Sequence, residues 1–274
     1  MRSPKPLAFL KSILLYIVLL LFLLPFLLVI LNTFKTTQQF VENPLSWPKQ
    51  FNFDNYMKAI DDMDFMTGLL NSSIITISSV FIIIFFSSMT GYMFVRFKWK
   101  ANSILFFAML ASMTLPFQAL MIPLVLIYGE LGLLNSQGSL LFMYLGFGVP
   151  FAVFTFHGFM KGVPLELEES AFIDGSSRLR TFFQIVVPLL KPVMVTLIVL
   201  DTLWIWNDYL LPSLILQSPS MRTLPLSNYG FFSTYSVDFS PLMAGLIMTI
   251  IPVLILYLVL QKQIIRGITE GALK

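Results

Sequence analysis

Apolar runs long enough to cross a lipid bilayer constrain this chain more than any other feature of it. A helix rises about 1.5 Å per residue, so roughly 20 apolar residues are needed to cross about 30 Å of hydrocarbon. Runs of that kind cover 13–31, 69–95, 103–127, 139–160, 189–211 and 242–260. They predict an all-α membrane protein with about six transmembrane helices, because backbone amides surrounded by lipid must be satisfied inside the segment itself. Composition agrees. Of the 274 residues 57% are hydrophobic and 11% charged, and the mean hydropathy is +0.84, beyond the apolar share of an ordinary soluble domain. Pro116, Pro123, Pro150 and Pro252 fall inside these runs. Neighbouring helices can satisfy the carbonyls each proline frees, so kinks are expected there, not ends.

The first run follows Arg2, Lys5 and Lys11, as in a secretory signal, but it is longer than a signal's apolar region and shows no small-x-small cleavage pattern around Val29 to Asn32. It is read as a retained span. Basic residues fix the orientation, because short loops rich in Lys and Arg stay in the cytoplasm. One side carries the N-terminal tail, Arg96, Lys98 and Lys100, then Lys161, Arg178, Arg180 and Lys191, then Lys262, Arg266 and Lys274. The other carries Lys35, Lys49, Lys58 and Arg222. Both termini are therefore expected in the cytoplasm. The expected organisation is an N-terminal tail, first helix and outer loop (1–68), a five-helix core (69–261) with a cytoplasmic loop at about 161–188, and a cytoplasmic tail (262–274). The outer loop 32–68 reads as an irregular connection with one helix near 55–60, too small for an independent domain. The outer loop 212–241, rich in Ser, Pro and aromatics, suits either the mouth of a pathway or contact with an external partner.

Several function classes are set aside. The net charge of +3 is scattered singly along loops, which does not make a nucleic-acid surface. With no cysteine and one histidine, His157, no metal site is expected, and His157 is assigned a packing or interfacial role. No zinc motif or nucleophile–base constellation is visible, so no catalytic residue is named and the chain is not expected to be an enzyme. A phosphate-binding Gly-x-x-x-x-Gly-Lys-Ser/Thr loop is also missing. Energy for any transport would come from a partner or from an ion gradient.

The loop at about 161–188 is the most informative stretch. Pro164 suits a first helical turn, Glu166, Glu168 and Glu169 suit a helix N-terminus, and Asp174 with Gly175 forms a turn pair whose glycine can take positive φ. Ser176 or Ser177 can then cap a second helix. A compact, charged, two-helix element of this kind suits force transmission from a soluble partner; a surface hairpin with no partner is the other reading.

Glu169, Ser170 and Ala171, three residues, Gly175, nine residues, Ile185, one residue, Val187 and Pro188 resemble the EAA signature of ABC-importer permeases. Ser170 replaces the usual alanine and Val187 the usual leucine. The resemblance covers nearly the whole chain and is closest to the maltose-type carbohydrate-uptake permeases, specifically the shorter of their two permease subunits. Asn32 to Lys35, Leu70 to Ser72, Leu115 to Gln118, Trp206 to Asp208, Arg222 to Pro225, Arg266 to Thr269 and Gly271 with Ala272 also resemble that group. The resemblance implies the type I ABC importer permease fold in a bacterial or archaeal plasma (inner) membrane. It implies that Glu168, Glu169, Ser170, Ala171, Asp174, Gly175, Ile185 and Pro188 serve coupling to an ATPase, and that the C-terminal tail reaches the same subunits. The implied partners are a second homologous permease, two ATP-binding subunits that carry ATP and Mg, an extracytoplasmic solute-binding protein and the bilayer. This chain would hold no cofactor. The implied cargo is a sugar, most naturally an oligosaccharide.

Within the spans, Asp201 is costly at its depth and is expected to face a cavity or find a partner. Trp204, Asn207 and Asp208, with Trp206 and Tyr209 nearby, combine aromatic faces with hydrogen-bonding groups suited to a sugar; an interfacial aromatic belt with a polar cap is the other reading. Gln118 is a further pathway candidate. The small polar residues of the second run, among them Asn71, Ser72, Ser79, Ser87 and Ser88, serve either close helix packing or an aqueous pathway. An ion-coupled secondary transporter using Asp201 stands as the alternative function.

Overall fold

In the computed structural model, residues 5–232 and 237–272 are described. Arg2, Lys274 and the side chains of Lys5, Lys262, Arg266 and the tail motif that follows lie outside the described residues. The helices are α1 (Lys5–Asn32), α2 (Thr37–Glu42), α3 (Asp54–Asp62), α4 (Phe65–Arg96), α5 (Lys100–Ser112), α6 (Phe117–Glu130), α7 (Gln137–Met160), α8 (Glu166–Ile173), α9 (Arg178–Thr181), α10 (Val187–Leu189), α11 (Lys191–Asn207), α12 (Leu210–Ile215), α13 (Leu224–Ser227) and α14 (Phe239–Ala272). A π-helical stretch, Phe182–Val186, joins α9 to α10. Among the described residues the only β pairing is an isolated bridge between Phe232 and Val237.

Among the described residues, four helical stretches are individually long and apolar enough to cross a membrane: Phe9–Asn32, Phe65–Arg96, Gln137–Met160 and Phe239–Val259. Lys100–Ser112 with Phe117–Glu130, and Arg178–Leu189 with Lys191–Asn207, are bent pairs that bring the total to six when each counts as one span. The third run therefore departs from expectation at Pro116. It turns by 102° between α5 and α6, and Pro116 precedes α6 as its cap. Pro116 has no N–H to continue the ladder, and the Ser112 and Thr114 hydroxyls donate to the Met109 and Ala111 carbonyls, 2.7 Å each. Carbonyls satisfied by side chains let the helix stop. Pro123, Pro150 and Pro252 remain inside helices, as expected. The fifth helix ends at Asn207, short of the expected 211, because Asp208 leaves helical geometry to cap α12 through the Leu210 N–H, 2.9 Å.

The chain divides into two compact units, 1–66 with 227–251, and 67–226 with 252–274. In the first, the loop after α1 is more ordered than an irregular connection. Thr36 caps α2 by accepting from the Gln39 N–H. Lys35, 1% exposed, donates to the Pro44 carbonyl at 2.9 Å and the Asn43 carbonyl at 3.3 Å. Asn55 Nδ2 donates to the carbonyls of Thr33 and Lys35, 2.7 Å each, and the Thr33 and Tyr56 hydroxyls lie 2.9 Å apart. The Asn32 to Lys35 stretch is thus a polar knot that folds the loop 32–68 onto the end of α1. The crossing part of α1 is apolar all round and buries nothing inside the protein, as suits a helix solvated by lipid.

The second unit is organised on α4 and α7. A Cβ at Gly91 would stand 2.8 Å from Phe156 Cβ, and one at Gly148 would stand 2.6 Å from Ile83 Cδ1. Both glycines therefore permit close helix contact. Asn71, Ser72, Thr76, Ser79, Ser87 and Ser88 are buried on α4, which favours packing for most of its small polar residues. Two of them also fasten a distant segment. Asn71 Nδ2 donates to the Ser220 and Arg222 carbonyls at 3.0 and 2.9 Å, and Ser72 Oγ accepts from the Leu224 N–H at 2.7 Å.

Candidate coupling site and pathway

The 161–188 loop forms the two short helices its sequence predicts. Three glutamates occupy the first turn of α8, where the helix dipole favours negative charge. Pro164 precedes this turn instead of entering it. The helix ends because Gly175 adopts φ +82°, with Ser176 N–H bonded to Ala171 O at 2.9 Å and Gly175 N–H to Phe172 O at 3.1 Å. This paired closure satisfies the last carbonyls and reverses the chain. Ser177, not Ser176, caps α9.

Glu168 is 1% exposed. Its carboxylate accepts from Arg96 Nε at 2.8 Å, Arg96 Nη2 at 2.7 Å and the Tyr92 hydroxyl at 2.8 Å. Arg96 also donates to the Val163 carbonyl at 2.9 Å. Glu168, grouped with Glu169 by the loop signature, therefore points inward while Glu169 is exposed. Glu168 is the inner anchor of α8 on the end of α4. Arg178 reinforces the hairpin with its guanidinium carbon 5.0 Å from the Phe97 ring centre and 5.9 Å from that of Phe172, distances that suit cation–π attraction.

Glu169, Ser170, Asp174 and Gly175 are exposed, whereas Ala171 is buried and Ile185 half-buried. Ser170 is not free to bond outward with its proton, since its hydroxyl donates to Glu166 O at 2.8 Å. Pro188 is exposed one residue before the 75° bend by which the surface segment turns into α11. The sequence reading missed Ile173 and Leu179, 86% and 62% exposed at the loop's outer edge. Their signal was present as apolar residues flanking a polar turn.

The pathway candidates do not converge on one cavity. Asp201 is 4% exposed in α11, and its Oδ2 has no hydrogen-bond partner. Trp204 stacks edge-on against Tyr144, ring centres 5.5 Å apart. Tyr144 donates to Asp208 at 3.0 Å, so Asp208 is occupied by packing and capping. Asn207 is exposed and bonds back to Leu203 O at 2.7 Å, and Gln118 is exposed at the start of α6. The largely apolar cavity of about 590 Å³ in this unit is instead edged by Ser73, Thr76 and Ser88 of α4 and by Thr202 and Trp206 of α11. Thr202 escaped the sequence reading because a lone threonine in a span signals nothing by itself.

Residues 83–270 match the family described as the binding-protein-dependent transport system inner membrane component. The chain belongs to that family. Among relatives of this permease, a probable starch degradation products transport system permease protein, AmyC, of Thermoanaerobacterium thermosulfurigenes is 44% identical over 93% of both chains. The multiple sugar-binding transport system permease protein MsmG of Streptococcus mutans is 36% identical over 97% of both. One solved chain, from a bacterial ABC transporter involved in the import of the acidic polysaccharide alginate, aligns with a TM-score of 0.81 at 22% identity, covering 96% of the permease and 98% of that chain. The permease therefore has the all-helical ABC importer fold that its loop signature implied, and it is a multi-pass inner membrane protein. The ion-coupled alternative built on Asp201 gains no support from the family or from these relatives.

Proposed function

We propose that the permease forms half of the translocation pathway of an ATP-driven carbohydrate importer and receives its mechanical drive at the hairpin of α8, Gly175 and α9. The observation that carries this reading is the hairpin's construction. An exposed, glycine-closed knob is tied rigidly to the end of one span by Glu168 and Arg96, and it runs directly into another span, α11. A push on Glu169 to Gly175 would therefore be felt by α4 and α11 together. Those helices bear Thr76, Ser88, Thr202 and Trp206, which edge the cavity. Displacing them relative to one another would open or close it.

The push would come from ATP-binding subunits, two of which act on this chain and on a second, homologous permease. ATP and Mg belong to those subunits, and solute arrives from an extracytoplasmic binding protein. The distribution of Lys and Arg supports a cytoplasmic side for both termini and the hairpin. Carbohydrate cargo is supported by the relatives named for starch degradation products and multiple sugars. The test replaces Glu169 by lysine on the exposed face of α8 in the assembled importer. Labelled-sugar uptake and co-purification of the ATPase should both fall while membrane insertion is retained. Undiminished uptake with an intact assembly would refute the assignment of this face.

A further inference from the structure

Three cations gather at one end of the helical core beside a cavity whose remaining walls mix an apolar face of Phe94, Val95, Leu165 and Phe172 with Tyr92, His157 and the paired Arg96 and Glu168. Gly91 against Phe156 holds the ends of α4 and α7 side by side, so Lys98, just past α4, and Lys161, the cap of α7, emerge at one level. A cavity of about 640 Å³ opens between these ends and α8, and its lining includes Lys98, Lys161 and Arg178 together with Phe94, Val95 and Leu165. Arg96 also faces it, but its charge is taken by Glu168. Glu169 contributes one opposing carboxylate. Among the described residues, no carboxylate lies within ion-pair distance of Lys98, Lys161 or Arg178. Arg178 is held in place by the Phe97 and Phe172 rings. Trp99, 61% exposed with its ring centre 5.3 Å from that of Phe97, is an amphipathic ring of the kind that settles at a membrane–water interface.

A soluble anion would satisfy the cations and leave the apolar wall wet. A ligand with a negative head and an apolar body satisfies both, and at the end of two spans such a ligand is a lipid. We propose that this cavity binds the headgroup of an anionic phospholipid, with its phosphate against Lys98, Lys161 and Arg178. Because α8 supplies one wall, an occupied cavity braces the hairpin from behind, and membrane composition then bears on how stiffly the hairpin is held.

The chain has no cysteine, so Trp99→Cys carries one fluorophore beside the cavity on the full-length permease in phosphatidylcholine vesicles. Phosphatidylglycerol bearing a nitroxide near the top of its acyl chain should quench at a mole fraction roughly tenfold lower than the equivalent phosphatidylcholine. Each basic group near an anionic lipid contributes a factor of about five in affinity. Lys98→Gln with Lys161→Gln, two exposed positions, removes two such factors, about 25-fold together, and should therefore abolish the preference. Arg180→Gln with Lys191→Gln removes the same charge outside the cavity and should leave the preference intact. Equal quenching by both lipids, or an equal loss in the control pair, would overturn the proposal in favour of diffuse surface attraction. Loss of the preference on adding inorganic phosphate at matched ionic strength would overturn it in favour of a soluble-anion site. No step requires transport or an ATPase, so the outcome is separate from the importer reading.

Discussion

Glu168 and Asp201 are buried almost equally, at 1% and 4% exposure, but they meet opposite circumstances. Glu168 is surrounded by donors from Arg96 and Tyr92, whereas Asp201 keeps one oxygen with no partner. A buried charge bonded at both of its oxygens is a clamp, and removing its counter-charge is far worse than removing both. A buried carboxylate left short of partners weakens the fold, and inside a membrane span that cost makes it a candidate for function. The hairpin end of the core is thus built for rigidity, and the middle of α11 retains a group that stability alone would discard.

The sharpest way to break this contrast is to strand Glu168. Arg96→Met should cost about 3–5 kcal/mol, read as a large fall in the melting midpoint of the detergent-solubilised permease. Adding Glu168→Leu should recover most of that loss, since a well-packed apolar pair often replaces a buried ion pair without penalty. A cost below about 1 kcal/mol for Arg96→Met would mean that the pair behaves as a surface contact and the clamp does not exist.

Gly175 comes next. Its φ of +82° is one that side-chain-bearing residues rarely adopt, and beyond its two chain neighbours no atom lies within 4 Å of a Cβ built there. The penalty for an ordinary residue is then purely conformational, about 1–2 kcal/mol. Gly175→Val should lose sugar uptake, while Gly175→Asn, which tolerates the left-handed region, should keep most of it. Equal loss in both variants would show that the position senses bulk and not backbone angle.

Asp201→Asn sharpens the contrast from the other side. The melting midpoint should hold, because the replaced oxygen Oδ2 has no hydrogen bond to lose, while transport velocity falls. A melting loss like that of Arg96→Met would show that Asp201 is structural and erase the distinction.

What could be read in advance follows the range of the interactions. The glycine-closed hairpin was legible because its capping residues lie within a few positions of one another. The clamp was not, because Glu168 finds Tyr92 and Arg96 at separations of 76 and 72 residues. The same holds for Asn71 and Ser72, which suggested only helix packing or an aqueous surface until their bonds to the 220–224 segment were seen. Pro116 misled for another reason. Hydropathy registers how much apolar chain is present, not its direction, so a 102° turn leaves the run unbroken in sequence. Asp201 was legible as a costly residue, but the cavity beside Thr202 and Trp206 arises from the meeting of α4, α11 and α14, which no local pattern encodes.

The smallest effect belongs to a second ion pair, between α3 and the residue before α14, which differs from the clamp by being wet. Lys58 bonds Asp238, and Thr37 donates to the same carboxylate at 2.6 Å. Burial opposes ionisation of Asp238, but the hydrogen bonds from Lys58 and Thr37 and the charge of Lys58 outweigh it and hold its pKa below the usual 3.8. The bond to Asp238 likewise raises Lys58 above 10.5. With a depressed carboxylate, the stabilisation is present above the ordinary carboxylate pKa and is lost as pH falls through the lower folded value. With a raised amine, it is present below 10.5 and is lost as pH climbs past the folded value. Side-chain exposures of 51% and 31% keep the total under about 1 kcal/mol and make it sensitive to salt. Lys58→Met should therefore trim the melting midpoint slightly at neutral pH and flatten the acid limb of its pH dependence below about pH 4. An acid limb as steep as the parent's would show that Thr37 alone holds the carboxylate.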